Sequence, residues 1–336
     1  MSLIGIIASS QRAAGSNLIA VAHGSSPSIS VYPWSSLGFG AKYANPATAV
    51  AGDGYRVAFT PSSDAIAIGS ANSPRIQVYA WSAGFGSKYA DPATVPTGAG
   101  TGVDFTSNGD TIAVGHNTSP SISVYPWSAG FGTKYANPAT LPTGEGRKVR
   151  FRVNNDTLAI AHTSSPYVSA YPWSAGFGTK YANPATLPPQ NGQGVDFSPS
   201  GDTIAVSGAD ASPYIAVYPW SAGFGTKYSD PATLPSGGND TTFNPAGNAL
   251  QVSGSNSPYI QVYAWSAGFG SKYANPATLP TGTSYVSTFS SNGDTIAVSH
   301  EASPYISVYP WSAGFGTKYA NPATLPTGDG YGVAFN

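Results

Sequence analysis

Side chains able to do chemistry are scarce in this chain. Its 336 residues include 14 Lys or Arg, 15 Asp or Glu, four His and no Cys, for a net charge of −1. Without cysteine there is no disulfide, no thiolate nucleophile and no thiolate metal ligand. The densest run of charge is Arg147, Lys148, Arg150 and Arg152, set around Val149 and Phe151. On a strand, alternation puts Lys148, Arg150 and Arg152 on one face and the two apolar side chains on the other. Asp104 and Asp196 stand 46 residues before and after Arg150. An Asp-Arg-Asp cluster of this kind is tolerable near a core only when its charges pair, so an ion-pair network competes with a ligand site as its role.

The histidines are His23, His116, His162 and His300, each eleven residues before a tryptophan. Zinc needs its ligands about 2.1 Å from one ion. Residues at equivalent places in separate repeats do not converge in that way, so hydrogen bonding to the Ser-Pro loop that follows is the expected role. Acidic residues are mostly single Asp at turns, such as Asp110, Asp202 and Asp294, where the side chain bonds backbone amides. No serine sits on a strained elbow beside a base. The inventory implies no cofactor and no metal.

These residues are carried by a repeat. Tryptophan recurs at positions 34, 81, 127, 173, 220, 265 and 311, at intervals of 45 to 47 residues. Such a period governs the fold. Each unit contains a GVxF segment such as Gly194–Phe197 and an apolar run such as Thr203–Val206. An alternating run such as Ile122–Tyr125 then leads to the tryptophan. After the loop SAGFGTKYANP, a short proline-edged segment such as Ala139-Thr140-Leu141-Pro142 is expected as a fourth strand. These runs are too short, too β-branched and too closely bounded by Gly and Pro for helices. Four strands per unit, seven times over, predict an all-β, seven-bladed β-propeller of four-stranded antiparallel blades.

The units resemble WD-repeat-like propellers. Val195-Asp196-Phe197-Ser198-Pro199-Ser200-Gly201-Asp202 resembles the VAFSPDG segment of that family, and Val308-Tyr309-Pro310-Trp311 its strand ending in Trp. The Trp-Asp dipeptide is absent, since Ser follows every tryptophan. The resemblance implies architecture and carries over no functional residue. The low charge and near-identical Gly/Pro/Tyr-rich units also resemble propeller repeats of structural or receptor-binding proteins of tailed bacteriophages, which implies a setting on a virion or outside the cell.

The first-strand pattern appears six times internally and once at the end, as Gly332–Phe335. The C-terminal strand is therefore expected to complete the blade begun by Leu18–Val21, making residues 15–336 one propeller. Alternatively Leu3–Ala8 fills that place and leaves the last strand for a neighbouring subunit. Residues 1–14 read as a leader or attachment strand, or as a disordered terminus, and make a poor secretory signal.

In near-identical repeats, function is sought where the copies differ. The equivalent tryptophans point to core or inter-blade packing ahead of sugar stacking. The once-per-unit lysines, such as Lys134, point to a solvated ring ahead of a binding ring. The differing positions make Arg56, Arg75, Arg147, Lys148, Arg150, Arg152, Tyr167, Tyr214, Tyr259 and Tyr305 the candidate ligand- or partner-binding residues, with Asp104, Arg150 and Asp196 as a channel ion-pair cluster. Repetition leaves few unique residues for catalysis, so the expectation is a non-enzymatic binding or structural module. Its expected partner is a protein or glycan on the variable loop face, with a propeller lectin and a self-assembling fibre or shell subunit as rivals. A homo-oligomer is compatible with this. Low charge argues against nucleic acid, and no stretch is long enough for membrane insertion.

Overall fold

The computed structural model describes residues 18–336. The leader at 1–14 and the alternative strand Leu3–Ala8 lie outside the described residues. Seven separate antiparallel sheets of three or four strands follow one another along the chain, with no helix among the described residues. They are the blades of a seven-bladed propeller. Blade 1 holds Leu18–His23, Ile29–Ser35 and Gly38–Phe39, and Gly330–Phe335 pairs with its Leu18–His23 strand. In that pairing Val21 faces Val333 and Ala20 faces Ala334. The Leu18 amide also donates to Asn336 Oδ1 at 2.7 Å, so both ends of the described chain share one sheet. The innermost strands of blades 2 to 7 are Gly54–Phe59, Gly100–Phe105, Gly146–Phe151, Gly192–Phe197, Asp240–Phe243 and Ser284–Phe289.

The apolar faces pack between blades. Seven hydrophobic clusters each span two adjacent blades, and one of them joins blade 7 to blade 1 through Val286, Ile306, Ile19 and Val333. Each tryptophan is nearly buried and fastens three elements. Trp127 makes edge contacts with Phe105 of its innermost strand at 5.9 Å, Phe131 of its outer segment at 5.1 Å, and Tyr89 of the preceding blade at 5.1 Å. Such pairs stabilise by about 0.5–1.5 kcal/mol each beyond their burial. Inter-blade packing is thus the role of the tryptophans.

The outer strand differs from expectation. In blades 2 and 6 it is Phe85–Lys88 and Phe269–Lys272, cut from the loop beyond the tryptophan, while Ala139 and Thr140 lie in a bend. Four other blades keep only a bridge, such as Trp127 to Phe131. The phenylalanine is drawn to the tryptophan of its own blade, and this tertiary contact overrides the turn-like Gly-Phe-Gly sequence.

Candidate functional site

Convergence of the innermost strands on the axis sets one residue from every blade at each height. At the upper mouth these are Tyr55, Thr101, Arg147, Gln193, Asn239, Tyr285 and Tyr331, again 46 residues apart. All seven line a single cavity of about 370 Å³, with Arg56, Asn117 and Ala209. In six blades the pairing register shifts at this residue, as between Gly54 and Arg56 or between Gly192 and Gly194. A bulge leaves its extra residue outside the ladder and re-aims the side chain, here toward the axis. The glycine before it has a different duty. A Cβ on Gly54 would lie 2.3 Å from the Ser28 carbonyl of blade 1, so only glycine lets the neighbouring turn abut the strand.

The ring is lopsided. Tyr285, Tyr331 and Tyr55, from blades 7, 1 and 2, form an aromatic arc with centroid separations of 5.2 and 5.5 Å. Thr101, Arg147, Gln193 and Asn239 occupy the remaining blades and supply hydrogen-bonding groups. Burial and then nearby carboxylates push up the phenols of Tyr55, Tyr285 and Tyr331, that of Tyr285 to about 12. They are neutral donors at pH 7. Arg147 pairs with Glu145 at 2.8 Å, but its Nε is buried without a hydrogen-bond partner. Arg56 donates to the Tyr331 carbonyl at 3.0 Å, and its Nε is also buried without a partner. Burial lowers the Arg56 pKa; Asp240 opposes the shift and Arg147 adds to it.

Below this bowl the axis continues through a cavity of about 250 Å³ to a lower mouth of about 340 Å³. At the first of these levels Lys148 reaches past Gly194 of the next blade to Asp240 of the one beyond, at 2.6 Å, and Asp240 is fully buried. Further down, the Arg150 guanidinium lies 3.3 Å from Asp104 and 2.7 Å from Asp196. The outer oxygens of these carboxylates accept from the amides of Phe151 and Phe243, both at 2.8 Å, so each acid also ties its strand to the next. The two carboxylates raise the Arg150 pKa, Asp196 most. Burial raises that of Asp104 despite Arg150. Arg152 faces the lower rim, bound to Asp156 at 2.7 Å and to the Gly201 carbonyl at 2.6 Å.

The loop candidates Arg75, Tyr167, Tyr214, Tyr259 and Tyr305 stand away from the axial cavity. Each follows a Ser-Pro pair with φ between 63° and 72°. Tyr167 closes its turn by donating to Ser164 at 2.8 Å and accepts from the His162 amide at 3.0 Å. The histidines are fastened locally. His116 Nδ1 meets the Thr118 carbonyl at 2.7 Å and Nε2 meets Ser123 Oγ at 3.1 Å. Among the described residues no three His, Cys, Asp or Glu are grouped to hold a metal. Sequence reasoning found Arg56 and Arg147 but missed Tyr55, Thr101, Gln193, Asn239, Tyr285 and Tyr331. The signal was present, because the 46-residue spacing that relates Arg150 to its neighbours also holds three positions earlier.

No protein-family model matches this chain, and no curated protein matches it. Solved structures share its fold. A protein from Lactobacillus plantarum aligns with a TM-score of 0.73 at 14% identity, over 95% of this chain and 99% of that one. A candidate 6-phosphogluconolactonase from Bacteroides uniformis aligns at 0.69 and 15% identity, and the periplasmic gluconolactonase of Pseudomonas aeruginosa at 0.69 and 14%, both over 95% of this chain and 99% of theirs. These names correct the expectation of a non-enzymatic binding or structural module, together with its virion, lectin and fibre variants. Two of these three full-length neighbours bear the names of lactone hydrolases. The physical reason is that repetition along the chain does not make the axis repetitive, since one differing residue per blade assembles a unique ring there.

Proposed function

We propose that the protein is a hydrolase that opens a small sugar lactone in the upper axial cavity. The observation that carries this reading is the convergence of one side chain from each of the seven blades, including Arg147, on one cavity of about 370 Å³. That volume is within the range of about 300–1,000 Å³ usual for small-molecule sites. The lactonase names of the fold's neighbours support it. Lactone opening needs a donor for the carbonyl oxygen, a base for water and a proton for the departing alkoxide. The Arg147 guanidinium is a donor for the developing oxyanion, and the Gln193 amide, which gives one N–H to Asn191 at 2.7 Å, has its second N–H for the same purpose. We assign the role of base for the attacking water to Glu145, which is paired to Arg147 at 2.8 Å but stands outside the cavity's lining with its side chain 45% exposed. Glu145 returns the water's proton to the ring oxygen as the acyl C–O bond breaks, giving the open hydroxy acid. The tyrosine arc offers an apolar wall for the flat face of a sugar ring.

The test is a pH-stat assay on glucono-1,5-lactone and its 6-phosphate, corrected for spontaneous opening. The wild type is expected to exceed the blank, with Arg147→Met slower by about 10²–10³ in kcat and Glu145→Gln also impaired. Wild-type rates equal to the blank on both lactones would refute the proposal.

A further inference from the structure

Arg56 is anomalous among the cations of the axis. Arg147, Lys148, Arg150 and Arg152 each have a carboxylate within 2.8 Å. Among the described residues Arg56 has none at ion-pair distance. The acid at its own height, Asp240, is engaged through Oδ1 by Lys148. The other residues of that ring, Gly102, Gly194, Val286 and Gly332, bring no charge. Two part-buried cations and one buried anion therefore share a layer of the axis. A guanidinium drawn partly out of water, with its Nε buried and unpartnered, is stabilised by a paired anion, and its fork of donors matches a carboxylate or phosphate. Arg56 also lines both the upper and the middle cavity, which puts its guanidinium where the upper bowl opens into the axis.

We infer that Arg56 is a receptor for an oxyanion at the floor of the upper cavity, a carboxylate or phosphate group carried by the molecule that the cavity takes. As a statement about substrate, namely that the lactone is acidic, this rests on the hydrolase reading. As a statement about binding it does not.

The experiment measures binding apart from turnover. Inorganic phosphate and D-gluconate are titrated into the wild type and Arg56→Met by calorimetry and thermal shift, with methyl glucoside as the uncharged control and sodium chloride at matched ionic strength. Expected are saturable binding of at least one oxyanion to the wild type, at least tenfold weaker binding to Arg56→Met, and no effect of methyl glucoside. Phosphate without gluconate identifies the anion as a phosphate, and the reverse as a carboxylate; either supports the receptor. Arg56→Met is expected to melt no lower than the wild type in anion-free buffer, because it removes an unpaired, part-buried charge. Should it not fold, Arg56→Lys keeps the charge, loses the fork, and is expected to bind at least fivefold more weakly. Equal oxyanion binding by wild type and variant, or none by the wild type, overturns the inference. Oxyanion binding without lactone hydrolysis leaves the receptor standing and refutes the hydrolase. Hydrolysis without oxyanion binding does the reverse.

Discussion

Replacing Arg150 by Met tests whether paired charge holds the axis together. The substitution leaves Asp104 and Asp196 facing each other, the latter only 2% exposed, with their amide contacts to Phe151 and Phe243 intact. Breaking a buried pair by removing one partner costs about 3–5 kcal/mol. The Arg150 side chain is 41% exposed in the axial opening, and solvent screening reduces this to about 2–3 kcal/mol. At roughly 2 °C per kcal/mol for a chain of this size, the melting temperature falls by about 5 °C at pH 7.5. Asp104 then gives the loss a pH signature. Its folded pKa is already raised by burial, and Arg150 is the main influence holding it down. Without Arg150 the folded state binds the Asp104 proton still more tightly than the unfolded chain does. The penalty is therefore absent below the unfolded carboxyl pKa, near 3.8, and develops as pH rises through the folded value. Melting of wild type and variant at pH 4 and pH 7.5 reads this directly, with the deficit larger at pH 7.5. The triple variant Asp104→Asn, Arg150→Met, Asp196→Asn is expected to recover most of it. A deficit equal at both pH values, or none at pH 7.5, would refute the reasoning.

Burial holds His23, His116, His162 and His300 at about 4, below the usual 6.5. The unfolded chain takes up their protons first, so the stability they contribute is complete above pH 6.5 and is lost as pH falls from 6.5 toward 4. At up to about 1.4 kcal/mol per histidine per pH unit, the urea midpoint at pH 5.5 should lie well below that at pH 7.5. An unchanged midpoint would count against buried neutral imidazoles. The tyrosines before the tryptophans give a paired test. Tyr125 donates to the Thr94 carbonyl of the preceding blade at 2.8 Å, whereas the buried Tyr263 hydroxyl has no partner. Denaturant titration should show Tyr125→Phe costing about 1 kcal/mol, and Tyr263→Phe costing nothing or stabilising. At Gly194 a Cβ would stand 2.5 Å from Ser207 Oγ and 2.8 Å from the Thr241 amide. Gly194→Val is expected to destabilise by about 1–3 kcal/mol, and a variant as stable as the wild type would show that the strands can part.

The blades were legible because the residues that make them recur under strong constraint. Trp127 must meet Phe105, Phe131 and Tyr89 at once, and every equivalent tryptophan meets the same demand, so the period survives and counts the sheets. Spacing likewise placed Asp104 and Asp196 on the blades beside Arg150 without any structure. The outer strand was misread because what makes Phe85–Lys88 a strand is its contact with Trp81, at 5.0 Å, and not its own Gly-rich sequence. The axial ring was overlooked for another reason. Counting unique residues within each unit finds too few for a catalytic constellation, but a propeller superposes its units about an axis, and the relevant count is across units at one height. The residue two after Asp53 is Tyr55, and its equivalents are Thr101, Arg147 and Gln193 in the next blades. Each is unremarkable in its own repeat. A bulge frees each of these from the ladder, so the packing that enforces identity elsewhere does not act on them. In this fold, freedom to vary and convergence on one cavity have the same structural origin, and the variable inner-strand ring is where chemistry can be built at the least cost to the blades.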